Sequence, residues 1–556
     1  MSLPYDPKRL YETLVELAVI PQAALTDALH RSETRSLPLE DVLLERDLIS
    51  DENLGKTIAE ILDVPFVRLA STRIDPDVLT ALPEEYARRH GVILFGIDKD
   101  TTHLASSGNI DPLLLAMIER KLGRKATSSY ATTRDMEYAL GTYERDFQHT
   151  FDSLVGAKAE KGQDDTLVIT LINRLITYAY NNRASDIHIE AEKDDSVIRL
   201  RIDGSLVELV RFPSSFHQRF VARIKYLAKL RTDEHMAAQD GKFQISLDQE
   251  DLDLRVSIVP VTHGEKCVLR LLALRYRQFG LTDLGLSNTN LEKIERASRK
   301  PYGMILSTGP TGSGKTTSMY AIVKLLNTND RNITTIEDPV EYDIDGINQI
   351  QVNEHVNLSF AEGLRSILRQ DPNVIYVGEI RDDETASIAV NSALTGHLVL
   401  STLHTNDAAT ALPRFLEMNI EPYLVASTVT VIIAQRLVRK LCQSCRVSES
   451  SSTAEIKLQI PPSMAKQYLG KEKQIRLYRG KGCPACRGTG YSGRIGLFEV
   501  LEVSPAIRQL IVDKADADAI KNQAVLEGMQ TMLSDGLEKA MRGVTSLEEV
   551  LRTTRE

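Results

Sequence analysis

The amino-acid sequence predicts an α/β protein: a parallel sheet with a phosphate-binding loop, preceded by an α+β unit and an N-terminal αβ unit. Three observations carry this. A strand-like run, 304–308, enters Gly309-Pro310-Thr311-Gly312-Ser313-Gly314-Lys315-Thr316-Thr317, and helix-compatible residues 318–326 follow. From about Leu284 onward, strand-like and helical patterns alternate, as in a parallel sheet with crossover helices. Between 166 and 284, period-two strands recur around one helix, the pattern of an α+β domain.

The 556 residues allow about three to four domains at roughly 100–200 residues each. Composition is ordinary for a soluble globular protein. No run of about 18 apolar residues is present, and the N-terminus lacks a basic-then-apolar signal. A cytosolic protein is expected, one that reaches a membrane only through partners. The net charge of −10 argues against nucleic acid as the main ligand, because phosphate-backbone binding needs a basic face.

Residues 1–146 read as one docking or regulatory αβ domain. Leu14–Pro21 and Leu43–Ser50 resemble each other and both end in a helix-start signal, which suggests a helical motif repeated after about 29 residues. Residues 92–95 and 103–106 read as short strands. The polar stretch within 147–165 is the linker. The α+β domain, 166–284, holds a helix at 167–181, strands at 197–202, 206–211, 242–246, 252–258 and 267–272, and a basic helix at 215–230. The remaining 285–556 contains the phosphate loop, an insertion at about 440–495 and C-terminal helices.

The chemistry begins at the loop. Strand, glycine-rich turn and helix in that order let main-chain N–H groups converge on phosphate oxygens, with the helix N-terminus pointing at the same anion. Lys315 is placed to reach the β- and γ-phosphates and the Thr316 hydroxyl to bind Mg²⁺, so the chain is expected to bind a nucleoside triphosphate. Hydrolysis also needs carboxylates. Residues 333–341 form a β-branched strand ending in Glu337-Asp338-Pro339-Val340-Glu341, and 374–382 a second one ending in Gly378-Glu379-Ile380-Arg381-Asp382. In an open parallel sheet both ends face the ligand crevice. A third strand is flanked by His397 and His404. Of five cysteines, four form two pairs, Cys442-x-x-Cys445 and Cys483-x-x-Cys486, the spacing of a thiolate zinc site in a cytosolic chain. The 37 intervening residues are expected to loop out, with Ser448–Thr453 as a flexible excursion. Cys267 reads as a small buried residue.

These motifs, together with Ala184-Ser185-Asp186-Ile187-His188-Ile189-Glu190, Arg199-x-Arg201-x-Asp203-Gly204 and Gly482-Cys483-Pro484-Ala485-Cys486-Arg487-Gly488, occur in the order found in one family. The chain resembles the secretion-superfamily ATPases of type IV pilus assembly and type II secretion. The resemblance covers 166–556, with a weaker one over 1–150. It implies a RecA-like ATPase domain joined to a PAS-like domain in a homohexameric ring that uses ATP, Mg²⁺ and Zn²⁺. By the same resemblance, Glu341 would be the general base, Glu379 the carboxylate near Mg²⁺, and Arg255 and Arg270 the pair that binds the γ-phosphate. The tetracysteine element separates the chain from the family's retraction motors. Pilus assembly through an inner-membrane platform protein is therefore the expected function, with type II secretion, and then a non-hydrolysing scaffold, as the alternatives. Some family members bind cyclic di-GMP through N-terminal repeats. Here Tyr11 follows Arg9-Leu10, and Ala18 and Asp47 replace glycines, which speaks against that ligand and for partner docking.

Overall fold

The computed structural model describes residues 5–17, 19–35, 38–45, 48–72, 74–143, 151, 165–247, 251–272, 280–469 and 473–554. They group into two compact units. One comprises 1–149, 440–493 and 539–546, and the other 150–439, 494–538 and 547–556.

In the first unit, helices Pro7–Glu16, Gln22–Arg35, Leu39–Glu45 and Asp51–Leu62 follow one another, so the 29-residue repeat is a helix pair used twice. Local capping sets their starts. The Asp6 carboxylate accepts from Lys8 N–H at 3.0 Å and Ser50 Oγ from Asn53 N–H at 3.2 Å, satisfying amides a helix start leaves unpaired. Leu10, Leu14, Leu25, Leu43, Leu54 and Ile58 close a small core. Ala18 and Asp47 lie outside the described residues, as does most of the expected linker. The two expected short strands are β1 (Val92–Ile97) and β2 (Thr101–Ser106), which pair antiparallel, and β3 (Lys125–Tyr130) adds parallel to β2. Its sequence, Lys-Ala-Thr-Ser-Ser-Tyr, buries only Tyr130, so it carries little apolar signal.

The second unit opens with helix Asp165–Asn181 and then β4 (Ala184–Ala191), β5 (Asp195–Ile202), β6 (Ser205–Pro213), helix Ser214–Leu227, β7 (Gln239–Ser246), β8 (Asp251–Val261) and β9 (Gly264–Leu272). The six strands make one sheet in the order β6-β5-β4-β9-β8-β7, every pairing antiparallel. Period-two alternation sorts its side chains. Ile187, Ile189, Leu200, Leu254, Val256 and Leu269 are buried, and so is Cys267, whose thiol burial pushes up. The alternate positions carry Asp186, His188, Arg199, Arg201, Arg255 and Arg270. Register places Arg201, Asp186, Arg270 and Arg255 on one rung across four strands.

Next come β10 (Gly303–Thr308), β11 (Ile333–Glu337), β12 (Asn348–Gln351), β13 (Val374–Val377), β14 (Leu398–Leu403) and β15 (Val429–Leu441). After β15 the chain makes β16 (Arg446–Ser452) and β17 (Gln474–Gly480) before β18 (Tyr491–Glu502). The seven-stranded sheet runs β12-β11-β13-β14-β10-β15-β18. β10 lies parallel to β14 and β15, and β11 parallel to β12 and β13, so the C-terminal ends of β10, β11, β13 and β14 open on one edge. All residues of β10, β11, β13 and β14 are buried, which explains their continuous apolar and β-branched runs.

Ser448–Thr453 is not an excursion: Ser448–Ser452 lie in β16 and Thr453 opens a helix. β16 pairs antiparallel with β17 from Arg446↔Gly480 to Ser452↔Gln474. The serines tolerate an extended backbone once a partner strand supplies the ladder, which composition alone does not reveal. The cysteine-bearing insertion packs with the N-terminal helices: Thr133–Tyr143 lies on residues 484–486, and the Arg446 guanidinium donates to the Leu44 carbonyl at 3.4 Å.

Candidate functional site

The cleft forms where β10 ends. Gly309 has φ 144° and Gly314 φ 89°, regions that favour glycine. A Cβ at Gly309 would stand 2.5 Å from the Gln435 carbonyl oxygen, so the loop's close approach to β15 also requires glycine there. Gln435 fixes the loop from behind: its Nε2 donates to Ser313 O at 2.7 Å and its Oε1 accepts from Ser318 Oγ at 2.6 Å. Lys315 opens helix Lys315–Leu326 and is 9% exposed. Its Nζ donates to the carbonyls of Gly309 at 2.6 Å and Pro310 at 3.3 Å. Burial pushes its pKa down, while the Glu379 charge opposes the shift. The Ser313 hydroxyl is buried without a hydrogen-bond partner in the loop that would cradle phosphate. A backbone cradle, a buried ammonium and an unpaired hydroxyl together fit a polyphosphate.

Two carboxylate strand ends face this loop in a cleft of about 910 Å³. At the end of β11, Glu337 is 2% exposed and accepts from the Tyr320 hydroxyl, from Thr335 Oγ1 at 2.6 Å and from Gln349 Nε2 at 3.2 Å. Burial raises its pKa against those hydrogen bonds. Four residues on, the half-exposed Glu341 accepts from Arg255 Nη1 at 3.1 Å, and Arg255 also donates to the Val340 carbonyl. Past β13, the side chain of Glu379 is 12% exposed between Arg381 (2.5 Å) and His404 (3.0 Å). Tyr376 of β13 and Thr316 both line the cleft. The Thr316 hydroxyl and the Glu379 carboxylate supply oxygen donors of the kind a hard divalent cation takes beside a polyphosphate.

The opposite wall is the polar rung of the six-stranded sheet. Arg270 and Arg201 line the cleft, and Asp186 lies between them. The structure thus brings together Gly309–Thr317, Glu341, Glu379, Arg255, Arg270 and His404. His397 does not join them. It precedes β14 at the opposite end of the sheet, where its Nδ1 meets the Ser392 carbonyl at 3.0 Å. Two histidines that flank one strand necessarily sit at its two ends, so only the C-terminal one reaches the ligand edge. The sequence assigns no role to several residues at the cleft: Arg201 and Arg381 line it from inside recognisable motifs, and Gln435, which braces the loop, is a polar residue within the buried run of β15, itself a signal.

In the other unit, Cys442, Cys445, Cys483 and Cys486 bring all four sulfurs within 4.8 Å of one another. Sγ–Sγ separations are 3.7 Å for Cys442–Cys483 and for Cys445–Cys486, and 3.6 Å for Cys483–Cys486. Four thiolates at about 2.3 Å from a tetrahedral zinc stand about 3.8 Å apart, so the cluster fits that ion. The N–H groups of Cys483 and Gly490 each donate to Cys486 Sγ at 3.2 Å, the main-chain support a thiolate needs. Burial and the neighbouring sulfurs push the Cys445 thiol up to about 12, while hydrogen bonds from Cys442, Cys483 and Gly490 push that of Cys486 down.

A glycine-rich phosphate loop with a buried lysine, opposite two acidic strand ends and faced by guanidinium groups, defines a P-loop ATPase. The chain belongs to the type II/IV secretion system protein family, whose model matches residues 161–552. An MshEN domain matches 62–149. The chain is 36% identical over 570 residues to the type IV pilus assembly ATPase PilB of Myxococcus xanthus (strain DK1622), spanning 98% of this chain and 99% of that one. It is 44% identical over 397 residues to the type II secretion system ATPase E of Vibrio cholerae serotype O1, spanning 71% and 77%. Among solved structures, the Yersinia pseudotuberculosis ATPase DotB shares the fold, with a TM-score of 0.52 at 21% identity over 69% of this chain and 92% of that one. ATP hydrolysis is the activity of this chain.

Proposed function

We propose that the chain is a homohexameric motor ATPase at the cytoplasmic face of the inner membrane. There it powers type IV pilus assembly through a platform protein. The observation that favours pilus assembly over type II secretion is coverage: the pilus-assembly relatives match 98% and 93% of the chain, whereas the type II secretion relatives match 71% to 86% of it. On this reading the six-stranded sheet is the PAS-like domain, and the N-terminal unit docks a partner rather than binding cyclic di-GMP.

The geometry supports a sequence of events. Main-chain amides of 309–315 and the Lys315 ammonium bind the phosphates of ATP, and Thr316 and Glu379 would hold Mg²⁺, which neutralises charge on them. Arg255 is occupied by Glu341. A γ-phosphate competes for that guanidinium, and once it is taken the Glu341 carboxylate is released to accept the proton of the attacking water. Arg270 closes on the same phosphoryl group. Loss of the γ-phosphate returns Arg255 to Glu341, so the two layers of the unit separate and close with nucleotide state. Cys442, Cys445, Cys483 and Cys486 would hold Zn²⁺, which contributes folding energy to the insertion.

Turnover and particle size, measured with and without the cytoplasmic part of a platform protein, test the motor reading. It predicts activity confined to the assembled ring. Glu379→Gln should retain nucleotide binding and lower kcat by roughly a hundredfold or more; unchanged turnover would refute its role. Cys483→Ser should abolish stoichiometric zinc by elemental analysis and lower the melting temperature, whereas a metal-free wild type of equal stability rules the zinc site out.

A further inference from the structure

We propose that Asp186 is a positioning residue for the phosphate-binding arginines, an internal anion that keeps Arg270 and Arg201 spaced and oriented until phosphate arrives. The proposal rests on the phosphate role given to Arg270 above.

Asp186 is 5% exposed, yet it stands on the polar face of its sheet and lines the cleft. Its Oδ1 accepts from Arg270 Nε at 3.0 Å, and its Oδ2 accepts from Ser185 Oγ at 2.8 Å and lies 3.6 Å from Arg201 Nε. The arginine side chains it holds are far more open, 60% for Arg270 and 36% for Arg201. A long exposed side chain loses considerable rotamer freedom when fixed, and a buried carboxylate at its root removes part of that cost before substrate binds. The contact uses Nε of Arg270, so the terminal nitrogens, one half of any bidentate grip on a phosphoryl group, are not spent on it. Arg201 donates its Nη1 to the Gly204 carbonyl at 2.9 Å, a second fixed point for the same wall. A carboxylate with a purely architectural role has no need to stand between two guanidiniums that face a phosphate cleft. Its strand is already tied by the backbone ladders to β5 and β9.

The test is a kcat and KM comparison on the full-length chain with Mg·ATP, together with ADP affinity. Asp186→Asn preserves size and removes the charge. We expect kcat to fall about tenfold while ADP affinity stays within about twofold, because ADP lacks the phosphoryl group those arginines meet. In an Arg270→Ala background the same substitution should change kcat by less than about twofold, and Asp186→Glu, which keeps the carboxylate, should restore kcat to within about threefold. Three results overturn the proposal: an unchanged kcat in Asp186→Asn, an equal loss in both backgrounds, or a fall in ADP affinity that tracks the fall in kcat. If Arg270→Ala alone turns over at the wild-type rate, the phosphate reading of Arg270 fails and takes this one with it. If Arg270→Ala is slow and Asp186→Asn is not, only the role of Asp186 is lost.

Discussion

The two walls of the nucleotide cleft are made of different material. The loop wall is main chain held by a buried sheet. β10 is buried along its whole length, Gln435 braces the loop from β15, and Lys315 is 9% exposed. The facing wall consists of long guanidinium side chains on an antiparallel sheet, with Arg255 27% and Arg270 60% exposed. Main chain fixed by buried packing costs much to rearrange, whereas exposed ion pairs exchange partners cheaply. On the proposed reading, affinity for nucleotide belongs to the first wall and response to its phosphate state to the second.

The largest effect expected from that division is at Lys315. Lys315→Ala should reduce turnover by roughly a thousandfold and weaken both ATP and ADP, since the ammonium acts on phosphates both nucleotides carry. A calorimetric titration that finds ADP affinity intact would break the assignment of affinity to the loop wall. The next largest effect is at Arg255. Arg255→Ala should cost about ten- to a hundredfold in kcat and leave ADP affinity within about twofold. Loss of ADP binding on the scale of Lys315→Ala would erase the distinction between the walls.

The walls also differ in how far the sequence discloses them. The loop wall is contiguous: strand, glycines, Lys315 and helix stand in a row, and each acidic turn follows an apolar run, so periodicity and motif point to the same edge. The arginine wall is assembled from β4, β5, β8 and β9, and what unites Arg201, Asp186, Arg270 and Arg255 is register. Strand positions are readable there, but pairing is not, so Arg255 and Arg270 follow only from family resemblance and the sequence gives no role to Asp186 or Arg201. His397 shows the converse limit: nearness in sequence to His404 suggested a shared site, yet a six-residue strand carries the two to opposite ends of the sheet. The serine-rich β16 reads as loose in the sequence because nothing local names its partner β17.

The smallest effect compares an ion pair from each wall. Beside the loop wall, Glu549 is 1% exposed and accepts from Arg439 of β15 at 2.5 Å and from Arg552 at 2.9 Å. Burial pushes its pKa up, but the two guanidiniums outweigh it and hold the carboxyl at about 2 against an ordinary 4.5. A carboxylate depressed in the folded state binds fewer protons folded than unfolded. Its stabilisation is therefore full above about pH 4.5 and is lost as pH falls from there toward 2, and the shift corresponds to about 3 kcal/mol. Glu549→Gln should cost about 1–3 kcal/mol in urea melts at pH 7, with the gap from wild type narrowing toward pH 3. On the open wall, Glu341→Gln breaks a pair 27% and 35% exposed and should change stability by less than about 1 kcal/mol at any pH, although it removes the proposed base. A Glu341→Gln variant destabilised as much as Glu549→Gln would mean that the arginine wall is as firmly set as the loop wall, and its arginines could not then exchange partners with nucleotide state.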